Sequence, residues 1–105
     1  MLFILLARLT DDGLQEYQKN PDAFAEACSS VDVPGTQLLA RYATLGQYDF
    51  VVLVEADGAK QMSQLSVVLG AKAHVHIESM QATAAQLLAE RPEELVRGEE
   101  AGISG

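Results

Sequence analysis

The sequence predicts an α+β fold in the order β-α-β-β-α-β, with a four-stranded antiparallel sheet carrying both helices on one face. Three observations predict it. Residues 1–9, 36–44, 48–56 and 73–80 are short, largely apolar and of strand length. Two of the intervening stretches place apolar side chains at three- and four-residue spacing, the mark of a helix with one buried stripe. The short link Leu45-Gly46-Gln47 joins the second strand to the third and dictates a hairpin, whereas the other connections are long enough to hold a helix.

The first strand is Met1-Leu2-Phe3-Ile4-Leu5-Leu6-Ala7-Arg8-Leu9, followed by turn and cap chemistry in Thr10-Asp11-Asp12-Gly13. Leu14 and Tyr17 predict a short helical turn. Asn20-Pro21-Asp22 then restarts the chain with a capping side chain, a proline suited to the first helical position and an acid that favours the helix dipole. The first full helix is expected over 21–29, with Phe24, Ala27, Cys28 and Val31 on its apolar side.

Val33-Pro34-Gly35 breaks the chain, and the second and third strands follow as 36–44 and 48–56. The third reads Phe50-Val51-Val52-Leu53-Val54, apolar on both faces, as a strand covered on both sides must be. The two helices cover one side. A second copy of the chain is the expected cover for the other. Asp57-Gly58 opens the second helix, with Ala59, Met62, Leu65 and Leu69 as its face and Gly70 placed to close it in a left-handed conformation. The fourth strand is expected over 73–80. Thr83-Ala84-Ala85-Gln86 resembles a capping box for a short helix through Leu87 and Leu88, ended by Pro92. The domain is thus expected over 1–90, with 91–105 an acidic, partly disordered tail.

Bulk properties exclude several classes. At 105 residues the chain has the length of one domain. The apolar run Leu2 to Ala7 is six residues, against about 20 for a membrane span, and no basic segment precedes it, so neither a span nor a signal peptide is expected. The lone Cys28 permits no internal disulfide and no thiolate zinc cage, which fits a reducing cytoplasm. A formal charge of −8 argues against sequence-independent nucleic-acid binding, which needs a basic face. Phosphate-binding glycine loops, dinucleotide fingerprints and nucleophile elbows are absent from the sequence.

The hairpin segment Tyr42-Ala43-Thr44-Leu45-Gly46-Gln47-Tyr48-Asp49, with Val51-Val52-Leu53-Val54-Glu55-Ala56 after it, resembles the GYD-domain family of small bacterial and archaeal proteins. The resemblance spans residues 2 to about 90. It implies a ferredoxin-like domain similar to the dimeric α/β-barrel group, in which two sheets pack together, and it implies no particular reaction.

Candidate site residues come from the turn and the last strand. Gly46 offers the positive φ of a tight turn, Asp49 can accept hydrogen bonds from backbone donors there, and Tyr48 suits a subunit contact or a pocket wall. In the fourth strand, period-two alternation puts His74, His76, Glu78 and Met80 on one face, so His74 and His76 with Glu78 are candidate ligands for a divalent metal. Arg41 and Glu55 are charged positions in otherwise apolar strands, suited to an ion pair, a rim or a polar cavity, and Tyr42 shares that ambiguity. Three readings follow. The first is a non-catalytic homo-oligomer binding a small ligand or protein partner, with Tyr42, Tyr48, Asp49 and His76 as contacts and no cofactor. The second is a cofactor-free oxygenase or isomerase of the dimeric α/β-barrel type using His74, His76, Tyr48 and Glu55. The third is a divalent-metal-binding protein.

Overall fold

A computed structural model describes residues 1–85. Its elements are β1 (Leu2–Leu9), α1 (Asp11–Lys19), α2 (Ala23–Ser30), β2 (Thr36–Ala43), β3 (Phe50–Ala56), α3 (Ala59–Ala73) and β4 (Val75–Gln81). The short helix expected through Leu87 and Leu88 and the acidic tail 91–105 lie outside the described residues.

The four strands form one antiparallel sheet in the order β2-β3-β1-β4, the ferredoxin-like arrangement expected from the sequence. Alternation along β1 and β3 sends Phe3, Leu5 and Ala7, with Phe50, Val52, Val54 and Ala56, to the helix side. There they meet Phe24, Ala27 and Cys28 of α2 and Met62, Leu65 and Leu69 of α3 in a single core. Leu5, Val52, Val54, Leu65 and Leu69 are fully buried, each contributing about 1.5–3 kcal/mol. Phe24 lies flat on Phe50 with centroids 4.0 Å apart and planes 2° from parallel, and Tyr17 meets the same ring edge-on at 5.6 Å.

The opposite face of the sheet has no cover within the described residues. Leu2, Ile4 and Leu6 of β1 and Val51 and Leu53 of β3 are its centre, all half-buried, and exposed Met80 extends it along β4. No described helix is long and apolar enough to cross a membrane.

Three expectations need correction. The turn around Leu14 and Tyr17 is a full helix, α1: Thr10 caps it by accepting the Gly13 N–H at 3.1 Å, Asp11 and Asp12 sit in its first turn, and Lys19 in its last. The next helix starts at Ala23 rather than at Pro21, because the Asn20 side chain accepts the Asp22 N–H at 3.1 Å in a turn before the helix begins. Gly70 does not close α3. The good helix formers Ala71, Lys72 and Ala73 carry it on, and His74 adopts the left-handed conformation, φ 56° and ψ 54°, with its N–H donating to the Gly70 carbonyl. Gly70 serves packing instead, since a Cβ there would stand 3.3 Å from the Val75 carbonyl oxygen.

β2 carries one irregularity. Leu38 pairs with Val54 but Ala40 pairs with Leu53, so Leu39 is an extra residue, a β-bulge that reverses the facing of everything after it.

Candidate functional site

Because His74 is the helix cap and not the first residue of β4, the expected row of His74, His76 and Glu78 does not form. The His74 imidazole lies toward α1, with Nε2 3.6 Å from Glu16 Oε1 and both side chains about half exposed. Its carbonyl is the more engaged group, accepting from both the Thr10 N–H at 3.1 Å and the Thr10 hydroxyl at 2.9 Å. Among the described residues no cluster of three or more His, Cys, Asp or Glu side chains is arranged to hold a metal ion.

His76 and Glu78 do share the open face, where His76 pairs with Arg8 and Glu78 with Leu6 across the β1–β4 ladder. The Tyr48 hydroxyl arrives from the β2–β3 turn and donates to Glu78 Oε1 at 2.8 Å. Arg8, Tyr48, His76 and Glu78 thus surround a groove of about 220 Å³ at one end of the apolar face. The bond to Glu78 holds the Tyr48 phenol above its ordinary 10.0, with desolvation and the carboxylate's charge acting the same way and Arg8 opposing them. Its proton is therefore held more firmly than usual, which suits a hydrogen-bond donor and not an acid or base for neutral pH.

Asp49 anchors this arrangement. Its carboxylate accepts the Leu9 N–H at 2.8 Å and its own N–H donates to the Ala7 carbonyl at 2.8 Å. The donor lies in β1 and not in the turn itself, so Asp49 continues the ladder beyond the start of β3. Within the turn the Thr44 hydroxyl donates to the Tyr48 carbonyl at 2.7 Å, and Gly46 has the positive φ expected of it, 132°.

Glu55 is at the other end of the sheet, bonded to the Met1 amine and opposite Leu2. Six residue steps along β1 take the chain from Leu2 to Arg8, roughly 20 Å, so Glu55 cannot act on a group held by His76 of the same chain. Tyr42 is on β2, at the far edge of the sheet from β4. The polar groups assigned to an enzyme thus fall into separate places, and what converges is Tyr48, His76 and Glu78 together with Arg8. Sequence reasoning missed Arg8, although its parity with Leu2, Ile4 and Leu6 puts it on their face. Cys28 is buried, and burial pushes its thiol up to about 11 against the opposing charge of Arg41, which leaves it a poor nucleophile.

Residues 3–90 match the model of the GYD domain family. A relative from Thermus thermophilus, "Glutamine synthetase and cystathionine beta-lyase binding protein", is 36% identical over 81 residues, covering 76% of this chain and 85% of its own. Among solved structures, the Mycobacterium tuberculosis leucine response regulatory protein aligns with a TM-score of 0.58 at 16% identity, over 75% of this chain and 47% of that one. A crystal structure of a glutamate-to-alanine mutant protein aligns at 0.61 and 14% identity, over 91% and 55%. This chain spans about half the length of those solved chains, and at such identities the likeness establishes the fold alone.

Proposed function

The chain belongs to the GYD-domain family, and from that premise we propose that it is a non-catalytic binding protein whose open sheet face is closed by a second copy of itself and whose partner is another protein. The observation that carries this reading is the apolar centre of that face, Leu2, Ile4, Leu6, Val51 and Leu53. Four strands at about 4.8 Å by seven residues at about 3.3 Å give the whole face a footprint on the order of 450 Å², with the apolar residues at its middle and Arg8, Glu55, His76 and Glu78 toward its ends. A two-fold partner presenting the same patch would bury both, in the manner of a dimeric α/β barrel. The groove of Arg8, Tyr48, His76 and Glu78 then lies at the rim, where polar groups fix register and not affinity.

A protein partner is supported by the relative named for binding glutamine synthetase and cystathionine β-lyase, whose aligned region takes in most of both chains. Enzymes of those two kinds are the first partners to test.

The deciding experiment is sedimentation equilibrium of the wild type and of Leu53→Lys, followed by titration of each into purified glutamine synthetase and cystathionine β-lyase. A dimer or larger assembly is expected for the wild type. Leu53→Lys should weaken self-association by about a hundredfold or more, because each interface would bury two unpaired ammonium groups. A wild type that stays monomeric at high micromolar concentration overturns self-association, and absence of binding to either enzyme overturns the choice of partner.

A further inference from the structure

The bulge in β2 redirects one side chain in particular. Unbroken alternation from Thr36 would put Arg41 on the open face beside Gln37. With Leu39 inserted, Arg41 lies opposite buried Val52, on the helix side. There it borders a cavity of about 190 Å³ whose wall is Tyr17, Phe24 and Phe50, with Ala25 beside them. The stacked pair and the edge-on tyrosine make that wall rigid. No acidic residue lines the cavity, and among the described residues no carboxylate lies within ion-pair distance of Arg41. The guanidinium's charge is felt as far as buried Cys28.

A cation beside an aromatic hollow selects an anion with an apolar body. One guanidinium offers a planar fork that matches a carboxylate in shape and in charge. A phosphate dianion would bring a second charge with no second cation to meet it. The volume, 190 Å³, is below the roughly 300–1,000 Å³ of pockets for drug-sized ligands, which sets the scale at one ring and a short acidic arm. We propose that this cavity is a binding site for a small aromatic monocarboxylate, with the ring against Phe24, Phe50 and Tyr17 and the carboxylate on Arg41. The aromatic wall and Arg41 lie on the helix side of the sheet, and Tyr42, opposite Val51 of the open face, borders the cavity at its outer edge.

The test is an NMR titration of the labelled full-length protein with 3-phenylpropionate, its neutral analogue 3-phenylpropionamide, and inorganic phosphate. The acid should give saturable shifts at Phe24, Phe50 and the Arg41 Nε resonance. The amide should bind at least about tenfold more weakly, and phosphate should give no saturable shift there. Arg41→Gln, at an exposed edge position, should weaken the acid by a similar factor while its spectrum stays dispersed. Ala25→Phe should block binding with the guanidinium still present. The proposal fails if the acid gives no saturable shift at these residues, if acid and amide bind alike, if phosphate binds more tightly than the acid, or if Arg41→Gln keeps the wild-type affinity.

Discussion

His74 carries the only positive φ among the described non-glycine residues, and its side chain gains little there. The left-handed conformation costs an ordinary residue about 1–2 kcal/mol, whereas a half-exposed contact with Glu16 returns a few tenths at most. His74→Gly should therefore raise stability in urea by about 0.5–1 kcal/mol, after allowance for the greater freedom of glycine in the unfolded chain. A drop would mean that the imidazole holds α1 more strongly than its geometry suggests. Tyr48 offers a spectroscopic readout. Its phenol is held above 10.0 first by the bond to Glu78, so its phenolate band should appear late in a pH titration and return toward the ordinary value in Glu78→Gln. The linkage has a definite sign: the folded state retains this proton longer, so the stabilisation is complete below pH 10 and is lost as pH climbs through the raised value. Band positions that coincide in wild type and variant would show that the bond does not persist in solution.

At the scale of elements, the tightest junction is where the first turn of α1 meets the cap of α3. A Cβ on Gly13 would stand 2.2 Å from the His74 carbonyl oxygen, the same oxygen that holds both Thr10 donors. Backbone cannot yield as a side-chain tip can. Gly13→Ala should cost about 2–3 kcal/mol by chemical denaturation, and a change below half a kcal/mol would show that the junction opens freely. The same elements show which features were legible in sequence. Short apolar runs between turn residues marked every strand, and three- and four-residue spacing marked the faces of α2 and α3, because a buried strand needs apolar length and a half-buried helix a period. The left-handed cap was misplaced at Gly70 because glycine signals both positive φ and close packing, and only the neighbouring strand tells which applies. The bulge at Leu39 was invisible, since Thr36-Gln37-Leu38-Leu39-Ala40 reads equally well with or without an extra residue. Of the site, His76 and Glu78 were recognised together on one face of β4 by its alternation, and Tyr48 separately in the turn. The arrival of Tyr48 depends on the β2–β3 turn reaching across to β4, a tertiary fact that no local pattern encodes, and His74 dropped out because α3 runs on past Gly70 to Ala73 and takes His74 as its cap.

At the scale of the molecule, the sheet has one face sealed by helices and one without cover, and both edge strands stay free, among the described residues. If the open face closes on a second copy, folding and association are one equilibrium, so the wild-type Tm should rise with protein concentration while that of Leu53→Lys should not. The strand order has a consequence for synthesis. β1 is central, and Leu5 pairs with Val52 on one side and Ser79 on the other. β1 precedes both its neighbours in the chain, so it has no strand to pair with until β3 has been made, and its second edge stays open until β4 follows. The β2–β3 hairpin, closed through a short turn, can form early as a local nucleus, β1 then docks on β3, and addition of β4 to the free edge of β1 completes the sheet. A nascent chain stalled before β4 emerges would expose both an apolar strand and its unfilled edge, making that stage the point at which a chaperone or aggregation would compete with folding.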